Sequence, residues 1–199
     1  MSGGVPSHDT YNRFFSLANP QALECCFEDW IDAIANLSEG RIISIDGKTL
    51  RGSKRAGSDT FIHMVSAWCK ANNMVLAQQK VNDKSNEITA IPVLLDLLVL
   101  KGCILTIDAM GCQKEIAEKI ADKQADYILA VKGNQKFLPD DIEEGFSNAK
   151  ADDEHRLKEV DHGRIETRTA KVITDLDGIC SKQDWKKLAL YHHGIFYTN

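Results

Sequence analysis

RIISID, residues 41–46, decides the fold: three isoleucines crowd into four residues and the run ends on an acid. β-Branched residues at this density read as a buried strand rather than a helix. FIHMVSAWC (61–69) and MVLAQQKV (74–81) follow, and Asn72-Asn73 between them is a hairpin turn signal. A helical stretch, Asn86–Leu100, comes next, with Ser85 or Asn86 as cap and with Pro92 either kinking it or starting a second helix. CILTID (103–108) repeats the form of RIISID, again closing on an aspartate. Ile116, Ala117, Ile120 and Ala121 share one face of a helix from about Gln113 to Lys123, and YILAV (127–131) is a further buried strand closed by Lys132-Gly133-Asn134. The order is β-β-β-α-β-α-β. Three antiparallel strands followed by helical crossovers to parallel strands make an α/β mixed sheet flanked by helices.

Outside this block the signals differ. Upstream, Asn19-Pro20 caps a helix whose Leu23, Cys26, Phe27, Trp30, Ile31 and Ile34 form one apolar stripe, stopped at Ser38-Glu39-Gly40. Ser7 or Asp9 caps a shorter helix carrying Phe14, Phe15 and Leu17. Trp30 and Trp68 read as core residues. Downstream, Pro139–Ala149 is an acidic helix and Glu166–Thr174 a strand, while the last twenty residues show no clear period. The chain therefore divides into an N-terminal helical remnant (1–40), a core (41–136), and an acidic helix with an irregular C-terminal part (137–199).

Composition narrows the class. With 199 residues, 43% of them hydrophobic and only four prolines, the chain can bury a core and is not a disordered or fibrous one. The longest apolar run, Ile91–Leu100, is half the length of a membrane span and contains Pro92 and Asp96. MSGGVPSHDT lacks the basic-then-apolar order of a signal peptide, so a cytoplasmic location is expected. Four of the six cysteines lie in apolar periodic segments and there is no C-x-x-C pair, which favours small buried hydrophobes over metal or redox work. Net charge is −5 but unevenly spread. Five cations (Arg41, Lys48, Arg51, Lys54, Arg55) face one acid between 41 and 55, whereas nine acids face three cations between 140 and 161. The basic strip suits a phosphate backbone, though such runs are commonly just solvated faces.

Asp46 and Asp108 are the sharpest chemical feature. Each would sit at the C-terminal end of one of two neighbouring strands, the rim where open α/β sheets bind ligands. Carboxylates held close together repel unless a cation lies between them. Hard ions such as Mg²⁺ or Mn²⁺ take such oxygens and leave positions for phosphate. Pairs of ions about 3.5–4 Å apart serve phosphodiester displacement. An Asp after a strand is also an ordinary turn former or helix cap.

IDGKTLRGS (45–53), KSNEITAIP (84–92), TIDAMGCQKEIAEKI (106–120), AVKGNQ (130–135) and HGRIETR (162–168) occur in that order. Together they resemble the H-repeat-associated DDE transposases of bacterial insertion sequences, over roughly residues 5–178. That resemblance implies a ribonuclease-H-like fold that cuts and joins double-stranded DNA at transposon ends with Mg²⁺ or Mn²⁺. It also implies nucleoid association when bound, and is compatible with a homodimer. Asp46 and Asp108 match the family's first two acids. The third is expected in a downstream helix with a pattern like H-W-x-[IV]-E-N-x-L-H-W, which this sequence does not contain, so an inactive fragment is expected. Glu166 in HGRIETR is the one glutamate of a family motif that could substitute; the alternative places Arg164, Glu166 and Arg168 on an insertion, pairing with each other or with DNA. Lys48, Arg51, Lys54, Arg55, Lys132 and Asn134 are the DNA-contact candidates. Lys132-Gly133-Asn134 is equally a plain turn. The histidines 155, 162, 192 and 193 match no metal-binding spacing. An inert DNA-binding remnant and an unrelated Mg²⁺-dependent phosphohydrolase are the competing readings.

Overall fold

Strand pairing follows the apolar pattern. The computed structural model describes residues 4–34, 40–53, 61–81, 86–133, 135, 137–148, 150–161, 164–177, 179–188 and 191–193. Strands β1 (Ile42–Leu50), β2 (Ile62–Cys69), β3 (Met74–Lys80), β4 (Ile104–Ile107) and β5 (Asp126–Leu129) form one sheet in the order β3-β2-β1-β4-β5. β1 pairs antiparallel with β2 and parallel with β4, and β4 pairs parallel with β5. The turn between β2 and β3 contains Asn73 at φ 54°, a left-handed conformation that asparagine tolerates. This is the ribonuclease-H-like arrangement that the resemblance implies.

Helices α3 (Glu87–Asp96) and α4 (Lys114–Asp122) make the two crossovers. A right-handed crossover repeated in one direction along the sheet puts both helices on one face. Their Ala90, Ile91, Leu94, Leu95, Ile116 and Ile120 accordingly share a core with Ile43, Ile45, Val65, Ala67, Leu105 and Ile107. Leu94 and Leu95 are fully buried, each worth about 1.5–3 kcal/mol of transfer free energy. α3 runs through Pro92 and stops at Asp96, four residues before the expected end.

Helices α1 (His8–Leu17) and α2 (Pro20–Ile34) stand at the N-terminus. Ser7 Oγ accepts the Thr10 amide and Asn19 Oδ1 accepts the Ala22 amide, the caps expected from sequence. The stripe on α2 does not become core. Among the described side chains of α2, Ile31 is buried, but Leu23, Phe27 and Trp30 are exposed. Trp68 is 36% exposed and likewise not a core residue: it lies on the sheet face turned away from α3 and α4. Cys25, Cys26 and Cys180 are exposed, whereas Cys69, Cys103 and Cys112 are buried.

Helix α5 (Leu138–Asn148) precedes a second sheet of β6 (Asp153–Asp161), β7 (Arg164–Ile173) and β8 (Tyr191–His193). β6 carries no apolar alternation and is a strand only through its pairing with β7. A second cluster joins this part to the first sheet: Leu138, Ile142, Ile173, Leu176, Ile179 and Trp185 pack with Cys112, Ala117, Tyr127 and Leu129. Among the described residues, no helix is long and apolar enough to cross a membrane.

Candidate active site

Register sets the strands before the two aspartates side by side. The parallel ladder pairs Ile42 with Ile104 and ends with Ile45 beside Ile107, so Asp46 and Asp108 each follow the last paired residue of adjacent strands. Ile43, Ile45, Leu105 and Ile107 point into the core. Alternation therefore turns Ser44, Asp46, Thr106 and Asp108 toward the opposite face. The Thr106 hydroxyl donates to Ser44 Oγ at 3.0 Å there, one step before the acid pair.

The two acids are not equivalent. Asp46 is not at a strand end: β1 continues to Leu50, held by its antiparallel ladder with β2 after the ladder with β4 has ended. Asp108 follows the last residue of β4 and caps the turn Ala109–Gly111. Its Oδ1 accepts the amides of Met110 at 3.1 Å and Gly111 at 3.4 Å. The cap reading of this aspartate thus holds. Asp46 and Lys48 approach to 3.9 Å with side chains 62% and 74% exposed, a pair that solvent screens.

The carboxylates of Asp46 and Asp108 are hard oxygen donors, a chemistry that fits Mg²⁺ or Mn²⁺ and not a thiolate-seeking ion. Among the described residues no group of three or more His, Cys, Asp and Glu side chains gathers to hold an ion.

Cations line the same rim. Lys48 lies two residues beyond Asp46 on the same face. β2 pairs Met64 with both Lys48 and Lys80, so Lys80 joins it there, a residue that sequence reasoning missed because the relation exists only in the register. Asp46 pairs with Ser66 and Ser66 with Gln78, whose amide donates to the Ser66 hydroxyl at 3.0 Å. Lys132 lies exposed on the loop after β5, and Gln135 ties that loop to the Cys112 carbonyl, beside the Asp108 turn. Arg51 is exposed in the 3-10 turn after β1. Lys54, Arg55 and Asn134 lie outside the described residues.

Glu166 stands elsewhere. It is on β7 in the second sheet, opposite Glu159 and seven residues from Ile173, the point where β7 enters the second cluster. At about 3.4 Å per residue that is some 24 Å along the hairpin. Asp46 and the strand that ends before Asp108 belong to the first sheet, and Glu166 belongs to the second.

The transposase DDE domain family matches residues 37–198. "Putative transposase YncI" of Escherichia coli O157:H7 is 49% identical over 198 residues, covering 94% of this chain and 50% of its own length. "H repeat-associated putative transposase YbfD" of Escherichia coli K12 is 43% identical over 176 residues, 84% of this chain and 68% of its own. A protein encoded in the dhlA 3' region of Xanthobacter autotrophicus is 42% identical over 194 residues, 94% of this chain and 65% of its own. The chain spans between 46% and 70% of the lengths of the curated relatives it matches. A solved piggyBac transposase synaptic complex with hairpin DNA overlaps 82% of this chain and 36% of its own at a TM-score of 0.44 and 11% identity, a likeness too remote to bear on the fold.

Proposed function

The chain belongs to the H-repeat-associated DDE transposase family, and on that premise we propose that Asp46 and Asp108 are the acids with which it takes part in metal-dependent cleavage and transfer of DNA strands. The observation that supports the proposal is the parallel register of β1 and β4, whose last pair, Ile45 and Ile107, immediately precedes the two acids. Bound there, Mg²⁺ or Mn²⁺ supplies Lewis-acid polarisation of the scissile phosphodiester and offsets the charge that develops on it.

The residues of the chain do the rest. Asp108, fixed by two amide donors, presents its free oxygen in a set direction. Asp46, held mid-strand by the ladder with β2, offers the second. Lys48, Lys80, Lys132 and Arg51 supply charge for the phosphates of double-stranded DNA approaching this face, with Lys54, Arg55 and Asn134 completing the contact set. The partner is the duplex at the ends of a mobile element, met in the cytoplasm at the nucleoid, by a homodimer. With its third acid unassigned, the chain is expected to bind the ion without joining strands. Glu166 is the candidate third acid in the alternative reading.

Mn²⁺ titration followed by electron paramagnetic resonance tests this directly. Asp46→Asn and Asp108→Asn should each abolish a site that wild type shows, and Glu166→Gln should leave it intact. No wild-type Mn²⁺ signal sensitive to the two aspartates would overturn the proposal. Loss on Glu166→Gln would promote that residue to the ligand set. Nicking of duplex carrying the element's terminal repeats, in Mg²⁺ and Mn²⁺, tests the chain's own activity: robust strand transfer would refute its expected inactivity.

A further inference from the structure

Gly47, the residue after Asp46, alternates onto the α3 face of the sheet with Ile43 and Ile45, and what meets it there is not apolar. The carboxylate of Glu87, in the first turn of α3, occupies the space where a side chain at residue 47 would be: a Cβ on Gly47 would fall 2.6 Å from Oε2 and closer still to Oε1. With consecutive Cα atoms 3.8 Å apart, this oxygen lies within about 8 Å of the Asp46 Cα. A carboxylate is stable there because the amides of a helix N-terminus carry partial positive charge. One turn on, Ile91 of the same helix abuts Gly111, the residue whose amide holds Asp108, with its Cδ1 3.0 Å from the Cβ position. Two residues four apart on α3 thus border the side-chain spaces of Gly47, which follows Asp46, and of Gly111, whose amide donates to Asp108.

We infer that Glu87 is a positioning residue for Asp46. Its carboxylate, seated in the side-chain space of Gly47, fixes the backbone of β1 at that point and so the direction in which the preceding aspartate leaves the strand. Only glycine leaves room for it. The inference rests on the reading of Asp46 and Asp108 as an ion-binding pair.

The test uses the full chain, with Mn²⁺ alone as the probe, and reads affinity by calorimetry and site geometry by the paramagnetic resonance line shape. Glu87→Ala should weaken Mn²⁺ binding about tenfold and broaden the line, within the 10–100-fold range seen when groups behind metal ligands are removed. Glu87→Gln, of the same shape, should stay within about twofold of wild type, well short of that range. Gly47→Ala should also weaken binding, and Gly47→Ala combined with Glu87→Ala should regain much of the loss, because the new methyl fills the space the carboxylate leaves. Circular dichroism melts read folding separately, and if Gly47→Ala does not fold, the Glu87→Ala and Glu87→Gln pair carries the test. Glu87→Ala with wild-type affinity and line shape overturns the inference and leaves the ion site standing. A double variant no better than the sum of its parts overturns it too. A wild-type chain with no aspartate-dependent Mn²⁺ site fails both, and the Asp46→Asn and Asp108→Asn controls tell these cases apart.

Discussion

Gly111 and Cys112 show how closely the turn after Asp108 is packed. A Cβ on Gly111 would overlap the Ile107 side chain and crowd Ile91. Ile107 is branched and buried and cannot swing aside as the end of a long side chain could. Gly111→Ala should therefore cost about 1–3 kcal/mol by overpacking, read as a shift of the urea midpoint at unchanged slope. Beside it, burial pushes the Cys112 thiol up to about 11, and burial, with the charge on Cys112 adding to it, pushes the Tyr127 phenol up to about 12. Folding favours the protonated form of both. Their contribution is complete below the ordinary values of 9.0 and 10.0 and is lost as pH climbs through about 11 and 12. Urea midpoints should fall steadily from pH 9 upward, and Cys112→Ala should flatten the lower part of that fall; a variant as pH-sensitive as wild type would assign the effect elsewhere. The same burial predicts that Cys25, Cys26 and Cys180 react with a thiol reagent in the native protein while Cys69, Cys103 and Cys112 react only on unfolding.

At the scale of elements, the segment from Cys180 to Leu188 is tied across α4 and β5. Lys114 pairs with Asp184 at 2.5 Å, Lys186 with Asp122, and Lys187 with Asp126 at 3.7 Å, while the Tyr127 hydroxyl donates to the Lys186 carbonyl at 2.6 Å. These ions are about half exposed and solvent screens them. Trp185, in the same segment, is 4% exposed inside the second cluster. Packing and not charge should hold this strap. Trp185→Ala is expected to cost about 3–5 kcal/mol in denaturant titration, whereas Lys186→Ala should leave the midpoint near wild type and 1 M salt should change little. A steep loss of stability with salt would reverse that ranking.

At the scale of the whole molecule, a chain of net charge −5 that is proposed to bind duplex DNA would approach it against its own field, through a local patch. Lys48 and Lys80 flank Met64 on the exposed sheet face, and Arg51 stands at the end of β1. Binding should be weak, tolerant of sequence and steeply salt-dependent. Replacing Arg51, Lys54 and Arg55 together should flatten the slope of log K against log salt by about two to three units, at roughly 0.9 per lost phosphate contact, and Lys80→Ala by about one more. Fluorescence anisotropy on a labelled duplex across salt concentrations checks this, and an unchanged slope would make the strip a solvated face.

What the sequence determined by itself was the succession β-β-β-α-β-α-β, the capped helices at Ser7 and Asn19, and the two acids. These are matters of local chemistry, such as β-branched density, cap residues and period, and RIISID and CILTID display them within six residues each. Tertiary structure decided the rest. Asp46 and Asp108 lie 62 positions apart, and only the β1–β4 register brings the residues before them, Ile45 and Ile107, side by side. β6, with no apolar alternation of its own, becomes a strand because β7 pairs with it. Trp30 and Trp68 read as core from composition, yet burial depends on which face a neighbouring layer covers, and here both stay in contact with solvent. Gly47 read as nothing more than a small residue after an acid. The approach of Glu87 from α3, forty positions away, depends on how that helix crosses the sheet, and no local pattern in the chain encodes it.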